Sequence, residues 1–352
     1  MAPKQRLDPS TFDIPEQAIS AGRYTDKYFV RTRDVLIADD HHPIVLMQVF
    51  QKGDVIVCGT DEAIAIIKRC ADNPDQIRIT SLFDGDEAAP YETVMTIEGD
   101  YASFAHLETL YLGVLARRTK VATNTRRAVE AANGKPVLFF SARFDSFLNQ
   151  PGDGYAAHVA GAHGVSTDAQ GTWFGQEGVG TVPHGLIAAY NGDTVKATAK
   201  FAEFTPDSVQ VISLVDFDND CVGTSLAVAR ALGKRLWGVR LDTAETMVDR
   251  SVASVMGDFP PTGLNEVLVR SVREALDAEG FQHVKIVVSG GFTADRIARF
   301  EANKAPADSY GVGSSLLTGA FDYTADIVMV NGRPCAKVGR RCNPNPRLQL
   351  VE

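Results

Sequence analysis

Several short apolar runs in this chain end in residues that can do chemistry. VQVISLVD ends in Asp216, RLWGVRLD in Arg240 and Asp242, VKIVVSGG in Ser289, Gly290 and Gly291, and DSYGVGSS in Gly311, Gly313, Ser314 and Ser315. Gly/Ser turns expose backbone N–H groups that cradle a phosphate, and two such turns follow one another here. A glycine turn also serves plain chain reversal, so the phosphate reading rests on the pair. Asp216 and Asp242 are carboxylates suited to binding ribose hydroxyls, holding Mg2+ or stabilising positive charge on a sugar carbon, or to capping the helix that follows. Arg240 stands two residues before Asp242, so both side chains leave the same face of a strand, as an ion pair or as a clamp for carboxylate and phosphate. His184, in GTVPHGLIAAY, closes an extended segment ahead of an apolar helical run, where an imidazole is either structural or a nucleophile or acid–base group. Arg117, Arg118, Lys120, Arg126 and Arg127 crowd ARRTKVATNTRRAV, as a solvated helix face or an electropositive rim for pyrophosphate.

Placing these groups together requires strands whose ends converge. From residue 126 to 321 the apolar runs PVLFF, VQVISLVD, RLWGVRLD, VKIVVSGG and DSYGVGSS alternate with CVGTSLAVARAL, GLNEVLVRSVREALDAEG and TADRIARF. In the second of these helical patterns Leu264, Val267, Leu268, Val272, Ala275 and Leu276 fall on one face. Such alternation predicts an α/β fold: an irregular βα barrel with reactive groups at the C-terminal strand ends and phosphate at the last two loops. Residues 1–125 carry strand-like runs at 44–50, 54–59 and 93–99 and a helical stretch near 60–71. Residues 322–352 read as strand, Asn-Gly turn, strand. Together the N-terminal segment and the tail are expected to form an α+β layer domain beside the barrel.

Hydrophobic residues make up 45% and charged residues 22%, which fits a folded chain and not a disordered one. The net charge of -9 disfavours nucleic acid as a partner but leaves room for a local basic pocket that takes a small anion. No apolar run approaches the ~20 residues of a membrane span, and MAPKQRLDPS has no apolar core for a signal peptide, so a cytoplasmic protein is expected. Cys58, Cys70, Cys221, Cys335 and Cys342 read as reduced thiols; Cys335 with Cys342 makes at most half of a zinc site, and none is expected.

TDKYFV at 25–30, ETLYLGVLARRTKVATNTRRAV at 108–129, GVST at 164–167, GTVPH at 180–184, GVRLDT at 238–243, the SGG turn and YGVGS occur in a fixed order. In that order they resemble the nicotinate phosphoribosyltransferase family, within the type II phosphoribosyltransferase fold. The resemblance implies transfer of the phosphoribosyl group from phosphoribosyl pyrophosphate to nicotinate, giving nicotinate mononucleotide and pyrophosphate in NAD biosynthesis. It implies Mg2+, and ATP as co-substrate through a transiently phosphorylated His184. Tyr28 would stack on the pyridine ring in a neighbouring subunit's site, which requires at least a dimer with shared active sites. Arg143 would meet phosphate or the pyridine carboxylate, and Arg240 the carboxylate or the ring. Asp216 and Asp242 would stabilise the ribose and its Mg2+; Ser289, Gly290, Gly291, Gly311, Gly313 and Ser314 would bind the 5′-phosphate. Ser166, followed by Thr167, stands where nicotinamide-using relatives carry aspartate, which points to an acid substrate received by hydroxyl donors. Asp242-Thr243-Ala244-Glu245 departs from the D-S-G-D that the family often shows. The alternatives are a quinolinate or nicotinamide phosphoribosyltransferase, or a catalytically silent phosphate- or nucleotide-binding protein.

Overall fold

The computed structural model describes residues 5–351; residues 1–4, part of the segment read above for a signal peptide, and residue 352 lie outside the described residues. Contacts divide the chain into two units. The first is Met1–Thr123 with Tyr155–Ala160 and Thr318–Glu352; the second is Asn124–Gly154 with Gly161–Leu317.

The first unit is built on an antiparallel sheet. Its central strand Ile44–Gln51 pairs with Thr93–Asp100 on one side and Tyr323–Val330 on the other. Arg78–Ser81 and Gln349–Leu350 extend one edge and Arg333–Pro334 the other. The tail hairpin turns at Asn331 and Gly332, both with positive φ (49° and 73°). That backbone matches the twist of the strands it joins, which is why Asn-Gly marks such turns. Val45, Met47, Val49, Ile79, Met95 and Ile97 turn inward and pack with Ile64 and Ile67 of helix Thr60–Cys70. The run 54–59 yields only the short strand Val55–Ile56, paired with Glu87–Ala88.

In the second unit the strands are parallel: β1 (Val137–Phe139), β2 (Gly164–Val165), β3 (Val211–Leu214), β4 (Leu236–Leu241), β5 (Lys285–Val288) and β6 (Ser309–Val312). Their spatial order is β2-β1-β6-β5-β4-β3. The sheet curls, and an extended segment bridges its two edge strands. Val179 N donates to the carbonyl of Val165 (2.7 Å) and Val182 N to that of Ile212 (2.9 Å). This bridge is the irregular part of the barrel. Leu138 of β1, Ile212 of β3 and Val287 of β5 pack together with Phe140 and Trp237, as inward side chains from alternate strands of a curled sheet do.

Helices between and after these strands include α1 (His184–Ala189), α2 (Cys221–Leu232), α3 (Glu266–Ala278) and α4 (Ala294–Ala302). Asp220, Asn265 and Thr293 cap α2, α3 and α4 by accepting from backbone N–H groups of the first turn. The buried face of α3 is Leu268, Val269, Val272 and Leu276. The first glycine turn leads into α4, as its sequence suggests. The second leads only into the 3-10 turn Ser314–Leu317, since Gly319 at φ 89° soon diverts the chain. Among the described residues no helix is long and apolar enough to cross a membrane.

Candidate active site

The C-terminal ends of β4, β5 and β6 meet around a cleft of about 210 Å3, lined by Arg240, Asp242, Ser289, both glycine turns, Phe140, Arg143 and Phe144. The turn after β5 holds Gly290 at φ 87° and Gly291 at φ 64°, a left-handed conformation that other residues rarely adopt. It delivers the chain to the N-terminus of α4, whose unpaired N–H groups favour an anion. At Gly311, on β6, a Cβ would stand 2.6 Å from the Phe140 ring, so only glycine lets that strand approach.

Asp242 sits at the centre of the hydrogen bonding. Its Oδ1 accepts from Ser289 Oγ (2.9 Å) and its Oδ2 from Arg240 Nη2 (3.2 Å). Arg240 also donates from Nη1 to Thr181 Oγ1 (2.8 Å), on the bridging segment. Its Nε is buried without a partner. The pairing of Arg240 with Asp242 follows from their i, i+2 spacing on β4.

Asp216 lies just past β3. It does not cap α2, a task that falls to Asp220, and Asn265 rather than Asp242 caps α3. The helix-capping reading of both aspartates is thereby removed. Asp216 Oδ1 instead meets His184 Nε2 at 3.0 Å. The carboxylate side chain is 7% exposed and the imidazole 48%. Burial pushes the Asp216 carboxyl above its ordinary range, His184 pulls it back, and the charge of Asp242 adds a smaller upward push. In the neutral imidazole, an Nε2 directed at a carboxylate is the nitrogen that carries the proton, which leaves the lone pair on Nδ1.

Ser166 and Thr167 follow β2. The backbone N–H of Ser166 and its hydroxyl both donate to Gln170 Oε1 (3.0 and 3.1 Å). Thr167 Oγ1 donates to Gln150 Oε1 (2.9 Å) and caps the next helical turn. Each hydroxyl proton is thus already engaged, and Ser166 presents lone pairs instead of a donor. In this arrangement neither hydroxyl proton is free for the substrate carboxylate that the resemblance implies here.

The remaining expected site residues are dispersed. Arg143 is exposed at the cleft mouth, with its guanidinium 5.4 Å from the Phe144 ring. Tyr28, Arg118 and Lys120 belong to the first unit. Tyr28 is 60% exposed, with its ring 4.2 Å from that of Phe29. Lys120 is half-buried, and Arg118 is buried with Nε donating to Glu62 Oε2 at 2.8 Å. That partner is 56 residues distant in sequence, so the pairing was invisible in the basic run. Sequence reasoning also passed over Thr181, Gln170 and Arg296. Only Thr181 carried a signal, its place in GTVPH; the other two read as ordinary helical polar residues.

Among the described residues no group of three or more His, Cys, Asp or Glu side chains is disposed to hold a metal ion. Asp216 and Asp242 offer two carboxylates at most. That suits Mg2+, which commonly takes one or two carboxylates and completes its shell with water and substrate phosphates.

Comparison with known proteins agrees with this architecture. Residues 26–119 match the family described as quinolinate phosphoribosyl transferase, N-terminal domain. A nicotinate-nucleotide pyrophosphorylase from Pyrococcus furiosus superposes with a TM-score of 0.81 at 32% identity, covering 97% of this chain and 85% of that one. A nicotinate phosphoribosyltransferase from Mycobacterium tuberculosis is 32% identical over 263 residues, 72% of this chain and 54% of the relative. The chain spans about half the length of the curated relatives it matches. Human nicotinic acid phosphoribosyltransferase, 16% identical with a TM-score of 0.68 and 89% of this chain and 76% of that one covered, shares the fold.

Proposed function

The chain belongs to the nicotinate phosphoribosyltransferase family, within the type II phosphoribosyltransferase fold, and from that premise we propose that it joins nicotinate to the ribose of phosphoribosyl pyrophosphate in NAD biosynthesis. The pyridine nitrogen is unprotonated at neutral pH and attacks C1 of the ribose. The C1–O bond breaks, and its electron pair leaves with pyrophosphate. Positive charge grows on the sugar ring, as in glycoside cleavage, and the carboxylates of Asp216 and Asp242 favour it. The 5′-phosphate is received by the two glycine turns, which anchors the ribose and makes positioning a large part of the rate. Arg240, held over the cleft by Thr181 and Asp242, is the cation placed to meet the pyridine carboxylate. Mg2+ would be held by Asp216 and Asp242 together with substrate oxygens, and would neutralise charge on the leaving pyrophosphate. The substrates are small molecules, the setting is cytoplasmic, and the exposed Tyr28 serves a neighbouring subunit's site in at least a dimer.

The observation that carries the nicotinate reading is the His184–Asp216 contact. It leaves Nδ1 as the nucleophile of an imidazole that is half exposed. The lone pair of Nδ1 takes the γ-phosphoryl group of ATP, the P–O bond to ADP breaks, and Asp216 balances the imidazolium charge. The resemblance implies that this histidine is absent from the quinolinate enzymes. The match of residues 26–119 to a quinolinate domain nonetheless makes quinolinate the second substrate to try. The test is product formation from phosphoribosyl pyrophosphate and Mg2+ with nicotinate, nicotinamide or quinolinate, each with and without ATP. Nicotinate mononucleotide formed with ATP stimulation is expected. His184→Ala should abolish the stimulation and spare slow basal synthesis. Product from quinolinate alone, with carbon dioxide released, overturns the substrate, and stimulation that survives in His184→Ala overturns the histidine's role.

A further inference from the structure

Arg296 takes no part in the chemistry above and does not line the cleft enclosed by Asp242 and the glycine turns. It lies behind the first turn and faces a neighbouring cleft of about 460 Å3. Its Nη1 donates to the carbonyl of Gly290 and its Nη2 to the carbonyl of Leu264, both at 2.6 Å. The guanidinium carbon lies 4.5 Å from the centre of the Phe292 ring, so the fork rests on an aromatic floor.

Two consecutive glycines at positive φ make the turn possible, but they also leave the 290–291 peptide free to turn over unless something holds it. In a planar trans peptide the C=O and the following N–H point in opposite directions. Gly290 lines only the cleft expected to receive phosphate, Gly291 stands between the two clefts and lines both, and Arg296 lines only the other one. Drawing the Gly290 carbonyl toward Arg296 therefore aims the Gly291 N–H at the phosphate side. A peptide turned the other way would present a carbonyl oxygen to an anion.

We propose that Arg296 is a positioning residue for phosphate binding, which presets the Gly291 N–H by pinning the Gly290 carbonyl. This rests on the reading of the turn as the 5′-phosphate site. Two features separate it from plain helix packing. The fork bridges two carbonyls that a single ammonium cannot span in the same way, and the effect must fall on the phosphate-bearing substrate alone.

The test is steady-state kinetics and thermal melting of the full chain with Arg296→Met and Arg296→Lys. In Arg296→Met the KM for phosphoribosyl pyrophosphate should rise about tenfold or more, the cost of one charged hydrogen bond. The KM for nicotinate and kcat at saturation should stay nearly unchanged. Arg296→Lys should show a smaller rise, and it decides the matter if Arg296→Met does not fold. A wild-type KM in the folded variants, or equal rises for both substrates, overturns the proposal. Calorimetric binding of ribose 5-phosphate keeps the two readings apart. Weaker binding to the variant without turnover in the wild type supports positioning and defeats the proposed reaction. Equal binding to both defeats positioning whatever the turnover.

Discussion

In the first unit Arg6 meets Asp61 at 2.7 Å and Arg118 meets Glu62 at 2.8 Å, with Asp61 3% and Glu62 15% exposed. In the second unit Asp242 is 20% exposed and His184 48%, while Arg240 keeps an unpaired Nε. Both units hold charges close together, but these two pairs of the first are closed off, whereas these groups of the second stand at strand ends beside an open cleft. Closed pairs hold elements in place; open ones retain capacity for a ligand's charge. Density of charged residues along the chain does not distinguish the two, because Arg118 sits in the densest basic run and is still engaged internally.

The largest effect expected from this contrast is on turnover. Asp242→Ala should lower kcat by about 10²–10³, the usual cost of losing a preorganised charge at the reacting centre. Glu62→Ala should instead cost ~1–3 kcal/mol of stability by removing the carboxylate that faces the buried Arg118 guanidinium, with little change in kcat. Melting curves and initial rates on the same preparations check both, and a fall in kcat for Glu62→Ala breaks the comparison.

A second consequence concerns pH. Asp84 in the first unit accepts from Thr60 N and Oγ1 through Oδ1, while Oδ2 is buried without a partner. Burial, reinforced by the nearby charge of Asp61, raises its carboxyl from 3.8 to about 7. The folded chain therefore holds this proton more tightly than the unfolded one. Above pH about 7 folding must bury a charge, so stability is reduced there; it recovers as pH falls through 7 toward 3.8. Asp84→Asn should flatten this part of the curve and raise the melting temperature by a few degrees at pH about 8. An unchanged pH profile in the variant rejects the assignment.

The smallest effect is expected at Ser166. Its hydroxyl proton belongs to Gln170, so Ser166→Ala should change the KM for nicotinate by no more than about twofold, against tenfold or more for a true donor to a carboxylate. A large rise would show that the hydroxyl turns toward substrate on binding.

Much of the barrel was legible because it depends on local pattern. The strand ends at Asp216, Asp242, Ser289 and Gly313 could be read from short apolar runs closed by polar or glycine residues. Arg240 and Asp242 share a face because side chains in a strand alternate. The tail hairpin was marked by Asn331-Gly332, whose backbone preference is intrinsic. The contact of His184 with Asp216, 32 residues apart, could not be read in this way. Neither could the engagement of Ser166 by Gln170, since nothing in GVSTDAQ says which acceptor takes a hydroxyl proton.

Periodicity, turn chemistry and glycine placement were therefore enough for the α/β class, the strand ends and the two glycine turns, because each reflects forces between near neighbours. Tertiary packing alone decided which charges remain available. It paired Arg118 with Glu62, set His184 Nε2 on Asp216 and brought the Leu264 carbonyl within reach of Arg296. Those outcomes depend on what another segment brings within hydrogen-bond reach, and a residue's own sequence surroundings carry no record of it.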